Sequence, residues 1–241
     1  MGWRTLLVTG VVLTLAALIA LMPMRFVHGL AGQPLGTQAS VYGRVWDGRI
    51  YNAAAGRARF DQVEMRLRPL SLLTGAAVFD WTLSDPEARG QGAALAGPGG
   101  AGLRDARLTT TLRGLGLDLP ALDPAESASF EIDELRFGSE GCTAASGHVR
   151  TAALIGFARR HDVEAPLLDG PISCENGVLG VALAGTSAAM SLDMRVTISP
   201  TGLYRWTIEA RLMEDRLTAV FSAAGFTQDG ETWRLRGEGQ I

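Results

Sequence analysis

The 241 residues carry a formal net charge of −3, too mild to steer the chain toward nucleic acid, and no basic stripe with interleaved aromatics runs along it. A hydrophobic fraction of 47% argues against disorder, and 30 glycines with few aromatics favour strands and tight turns over a helical bundle. Lysine is absent, so arginine supplies all the fixed positive charge, as a GC-rich coding bias would produce.

The chain opens on Leu6–Met22, LLVTGVVLTLAALIALM, which holds no charge and approaches the roughly 20 apolar residues that cross a bilayer core. Trp3 and Phe26 stand at its two ends, where a membrane interface would place them. A cleaved signal peptide is the competing reading, but its apolar region is usually about 7–15 residues, with a small-x-small site close behind. Here the nearest such site, Gly29-Leu30-Ala31, lies well past the run, beyond Pro23. A buried core helix would carry a polar face, and this run has no such face, only Thr9 and Thr14 among apolar residues. The expected organisation is a cytoplasmic tip and anchor over 1–26, a Gly- and Pro-containing linker over 27–38, and a β-rich domain over 39–241. Arg4 and Arg25 nearly balance, so they leave the orientation open.

Short alternating runs follow. Ser40–Trp46, Arg49–Phe60, Val63–Leu67 and Val78–Leu83 are predicted strands, with one turn of helix over Pro69–Thr74. Gln91–Gly102 is rich in Gly and Ala, contains Pro98, and reads as a flexible loop; the β-rich part is either one domain or two packed subdomains with their break near 90–102. Asp123-Pro124-Ala125-Glu126 starts like a helix cap, but no apolar period follows. Phe130 and Ile132 alternate with Glu131 and Asp133, and Trp233 and Leu235 with Arg234 and Arg236. The clearest signal is Met190–Ile198 and Tyr204–Leu212, two period-two runs joined by Ser199-Pro200-Thr201-Gly202, a predicted hairpin. Each strand would bury one face and wet the other. The expected fold is mainly β, a curved antiparallel sheet or sandwich-like domain.

Cys142 and Cys174 are the only cysteines, and each adjoins turn residues. In an anchored β domain they are expected to form one disulfide, which would place the domain in an oxidising compartment with the N-terminus inside. Two unrelated thiols or a metal site are the alternatives, and no second Cys or His stands at ligand spacing. His28, His148 and His161 form no recognisable catalytic set. No nucleophile elbow, zinc-protease helix, phosphate loop or dinucleotide fingerprint occurs, so no catalytic, cofactor or metal residue is expected.

Two patterns are more specific. Gly43-Arg44-Val45-Trp46-Asp47-Gly48-Arg49 is followed by Leu67-Arg68-Pro69-Leu70-Ser71-Leu72-Leu73-Thr74-Gly75, and then by Phe79-Asp80-Trp81-Thr82-Leu83. With the later Gly141-Cys142 and Leu168-Asp169-Gly170-Pro171-Ile172-Ser173-Cys174, the order resembles protein N of the type II secretion system, the general secretion pathway. In that likeness Gly43, Val45, Trp46, Gly48, Pro69, Leu72, Leu73, Gly75 and Trp81 are structural motif positions. Trp46 would anchor the core beside a tight turn at Asp47-Gly48, and the leucines after Pro69 would cap the sheet. The departure is Val63-Glu64-Met65-Arg66-Leu67, where the likeness leads one to expect a Trp. The resemblance implies an inner-membrane accessory of the export machine, in contact with other subunits of the inner-membrane platform and with the outer-membrane secretin. The strand pattern also resembles anchored periplasmic proteins of the AsmA type, which implies lipid as the alternative partner.

Overall fold

The computed structural model describes Pro23 and residues 39–55, 58–114, 125–160 and 162–240. Among these, fourteen strands form one antiparallel sheet: β1 (Ser40–Arg44), β2 (Asp47–Ala55), β3 (Ala58–Leu67), β4 (Ala77–Ser84), β5 (Ala88–Gly97), β6 (Gly100–Thr111), β7 (Ser127–Gly138), β8 (Gly141–Thr151), β9 (Leu168–Glu175), β10 (Val178–Thr186), β11 (Met190–Ile198), β12 (Leu203–Leu212), β13 (Thr227–Asp229) and β14 (Thr232–Gln240). Neighbours in sequence are neighbours in the sheet until β14, which inserts between β12 and β13. Among the described residues no pairing joins the first strand to the last, so this is one open sheet and not two facing ones. Beyond about ten strands an open sheet must curl to bury its apolar side, and this one is curved.

The period-two pattern sets the two faces. On the apolar face Val63, Met65 and Leu67 stand opposite Leu83, Trp81 and Phe79. Farther along, Leu179, Val181 and Leu183 meet Ile198, Val196 and Met194. Those in turn meet Tyr204, Trp206 and Ile208. The other face is a ladder of cross-strand ion pairs, including Arg49–Glu64 at 3.1 Å, Arg205–Glu238 at 3.2 Å and Arg234–Glu209 at 2.9 Å.

Two short helices lie at one end of the strands, α1 (Ile155–Arg160) and α2 (Leu217–Ala223). Neither could persist in isolation. Leu217 and Phe221 of α2 are buried against Met190, Leu192, Ala210 and Trp233, and these form the main core. A smaller core gathers Val45, Ile50, Ala53 and Leu67 at the N-terminal end of the sheet.

The hairpin predicted over 190–212 is present with nine paired residues in register, from Met190–Leu212 to Ile198–Tyr204. The loop predicted over Gln91–Gly102 is instead the β5–β6 hairpin, and strand pairing continues from β4 through β7. Alanine and glycine are weak strand formers, which hides it in the sequence. Here the missing side-chain volume is filled from next door: the Trp81 ring lies over Gly90 and Gly92, so close that an added Cβ at either would stand 3.1–3.2 Å from it. The run predicted as one strand over 49–60 reverses between Ala55 and Ala58, and β3 then runs unbroken through Leu67.

The expected anchor, apart from Pro23, lies outside the described residues, as do the linker up to residue 38, the capping sequence at Asp123-Pro124, His28 and His161. Among the described residues no helix is long and apolar enough to cross a membrane.

Candidate functional site

The two motif segments, far apart in sequence, converge at one end of β1–β4. Gly43 pairs with Gly48, and Gly48 with Met65. Leu67 donates its N–H to the Val45 carbonyl at 3.2 Å, which ties the end of β3 to the β1–β2 turn. Met65 pairs with Trp81 and Leu67 with Phe79, which brings in β4. The tight turn is not at Asp47-Gly48 as expected. Arg44 pairs with Asp47, so Val45 and Trp46 are themselves the two-residue connection. Val45 is buried, and Trp46 is half-buried against the smaller core.

Gly43 permits that connection. Its φ is +86°, and a Cβ there would stand 2.4 Å from the Asp47 carbonyl oxygen. Gly43→Ala is expected to cost more than about 1 kcal/mol, because it combines left-handed strain with backbone overlap. Urea unfolding would measure this, and an unchanged midpoint would mean that the turn relaxes freely.

Pro69–Thr74 is the single helical turn that the sequence predicts, of 3-10 type. Pro69 starts it, and Gly75, at φ +78°, ends it by donating its N–H to the Leu72 carbonyl at 3.1 Å. The expectation that its leucines cap the sheet is overturned. No residue of the turn is buried, and Leu70 and Leu73 are 76% and 84% exposed, with Leu72 exposed as well. The turn projects from the strand ends, so its side chains have no sheet face to cover. A shallow hollow of about 410 Å³ opens beneath it, between Arg66, Arg68, Leu70, Val78 and Asp80.

Arg68 and Asp80 hold the base of the turn. Arg68 donates from Nε to Asp80 Oδ2 at 2.9 Å and from Nη2 to Oδ1 at 2.6 Å, a two-pronged fork. The Arg68 hydrogen bond holds the Asp80 carboxyl below its ordinary range, and Asp80 in turn raises Arg68. With the folded pKa depressed, the pair stabilises the fold above the ordinary carboxylate range. That contribution is lost as pH falls through the depressed value. The side chains are 58% and 45% exposed, so solvent screens the pair to below about 1 kcal/mol. Asp80→Asn should therefore lower the urea midpoint slightly at neutral pH, and variant and parent should converge in acid. A gap that persists in acid would assign the loss to packing.

A second constellation lies farther along the sheet. Cys142 and Cys174 form a disulfide across a sequence separation of 32, with Cα atoms 5.8 Å apart. The β8–β9 ladder runs only from Thr151–Leu168 to His148–Pro171. The disulfide thus joins the two strands beyond the point where their pairing ends. His148 is an exposed strand residue, 3.5 Å from Asp169. Among the described residues no group of three or more His, Cys, Asp or Glu is placed to hold a metal ion.

Of the motif residues, Gly43, Val45, Trp46, Gly48, Pro69, Leu72, Leu73 and Gly75 share one end of the sheet, and Trp81 lies on the neighbouring apolar face. Sequence reasoning misses the Arg68–Asp80 fork, although both residues flank the motif and the charges alternate. It also misses the isolated antiparallel bridge between Pro23 and Arg44, for which no local signal exists.

A family model described as type II secretion system (T2SS), protein N, matches residues 37–235. No curated protein and no solved structure matches the chain.

Proposed function

We propose that this chain, which belongs to the type II secretion system protein N family, is an accessory component of the export machinery, held in the inner membrane by residues 1–26. Residues 27–38 link that anchor to the sheet, which works in the periplasm by contact with other subunits. The family match is the observation that carries this reading. The disulfide supports the compartment, since such bonds persist where the surroundings oxidise.

The mode of contact follows from the edges of the sheet. β13 has three residues, all exposed and polar, a blunted edge that discourages strand addition. β1 pairs with β2 on one side, and among the described residues its other side carries only the bridge from Arg44 to Pro23. Val41 and Tyr42 therefore stand on the edge best able to take a partner strand, and Tyr42 is exposed. The partners are the inner-membrane platform subunits and the outer-membrane secretin. A photo-cross-linking residue at Tyr42 in intact cells should capture one of them. Deleting the gene should leave exported enzymes in the periplasm, and normal export after deletion would overturn the reading.

One observation favours the AsmA-like, lipid-binding reading as a second. The apolar face runs across the sheet, and among the described residues only two short α-helices and one exposed 3-10 turn accompany it. Phe79, Trp81, Val181, Met194, Val196 and Trp206 are left half-buried, not sealed. Phospholipid bound to the purified protein, detected by mass spectrometry, would move the assignment to lipid handling.

A further inference from the structure

We propose that the Pro69–Thr74 turn seats in the lipid headgroup layer of the membrane that holds the anchor, with Leu70, Leu72 and Leu73 as the inserted side chains. The proposal rests on the inner-membrane reading given above.

Three observations support it. The first is concentration: three of the large exposed apolar residues fall in one six-residue turn that buries none of its own side chains. Isolated exposed leucines need no explanation, but a projecting cluster does. The hollow beneath the turn is shallow and flanked by charged side chains, so it offers no apolar groove to a partner helix, whereas the exposed leucines fit a soft apolar layer.

The second is position. Pro23 directly follows the apolar run Leu6–Met22 and bridges Arg44 at the end of β1. Arg44 pairs with Asp47, Asp47 lies 3.9 Å from Arg66, and Leu67 is bonded to Val45. The point where the chain leaves the run is therefore about three strand spacings, roughly 14 Å, from the end of β3, where the turn begins. The described strand ends nearest the predicted bilayer are those that carry the leucines.

The third is charge. The turn itself is uncharged, and Arg44, Arg66 and Arg68 precede it, at the ends of β1 and β3. Asp47 and Asp80 share that end and each faces an arginine, and Asp105 is close enough to act on Arg68 as well. Asp80 occupies Arg68, so Arg44 and the loosely paired, exposed Arg66 are the groups that would meet phosphates, with their stems against the apolar layer.

The test uses the full chain in vesicles of phosphatidylethanolamine and phosphatidylglycerol. The two native cysteines are bonded to each other, so a new thiol at Leu73→Cys takes a nitrobenzoxadiazole label alone. Insertion should blue-shift that label, and lipids with a doxyl quencher near the headgroup should quench it several-fold more than one at Met213→Cys, which is exposed at the opposite strand ends. A label at Leu15→Cys, read with the doxyl group deep on the acyl chain, reports separately whether the apolar run enters the bilayer. Quenching at Leu73 upholds the proposal. A water-like, unquenched Leu73 label overturns it: beside a quenched Leu15 the turn alone stands clear of the membrane, and beside an unquenched Leu15 the anchor reading fails with it. A label that is shielded but not quenched also overturns it, in favour of protein contact. Leu73→Ser should leave the urea midpoint unchanged while weakening any quenching read from a label at Leu70→Cys.

Discussion

Replacing both cysteines, Cys142→Ala with Cys174→Ala, is expected to lower the unfolding free energy by about 3–4 kcal/mol, on the chain-entropy cost of a loop this long. The covalent loop spans 32 positions and contains α1 and most of β8 and β9. It closes where the β8–β9 hydrogen bonds have already stopped, so no ladder replaces the lost tie. The Cys142 N–H donates to the Gly177 carbonyl at 3.0 Å, a single backbone bond that would remain between the start of β8 and the β9–β10 turn. Urea unfolding of parent and variant at the same pH measures the loss. Hydrogen exchange should localise part of it, with faster exchange at residues 141–146 and 172–177 than in the β11–β12 hairpin. A loss under about 1 kcal/mol would mean that the unfolded chain is already held compact, and that the entropic account fails here. The same magnitude bears on the compartment: a fold with a typical stability of about 5–15 kcal/mol gives up a large share of it when reduced.

What the sequence discloses follows the strength of local physics. The β11–β12 hairpin is legible because apolar and polar residues alternate strictly and Ser-Pro-Thr-Gly closes the turn. The β5–β6 hairpin is illegible because its inward positions are Ala88, Gly90, Gly92 and Ala94, which carry no signal alone. They form strands because Trp81 from β4 fills the space above the glycines. The 3-10 turn is legible from Pro69 and Gly75, but its exposure is not, since a leucine reads the same whether it meets a core or a membrane. The helices escape a sequence reading because α1 and α2 are too short to show a period. They exist through what they cover. Strand order is nearly free information in a meander, and the exception, β14 between β12 and β13, comes where α2 separates β12 from β13 in the chain. The convergence of the motifs at one strand end requires the register.

Phe221→Ala should be the most damaging single truncation in the α2 cover, at about 3–5 kcal/mol. Phe221 is nearly fully buried, its ring 4.7 Å from that of Phe226 and 6.4 Å from that of Trp233. α2 has seven residues and no side-chain cap, so Leu217 and Phe221, its two buried residues, keep it in place. Removing the ring leaves a cavity beside Trp233 and loosens the helix that would have to collapse into it. Two measurements separate this from an ordinary core defect. Urea unfolding gives the loss, and binding of a hydrophobic dye to the still-folded variant reports whether the apolar face has opened. If α2 is a cover, dye binding rises while the β11–β12 hairpin stays protected from exchange. A loss below about 1 kcal/mol with no added dye binding would show that α2 rests on the sheet without sealing it. That outcome would leave the apolar face open beside β11, β12 and β14 and strengthen the lipid-binding reading over docking by a sealed sheet.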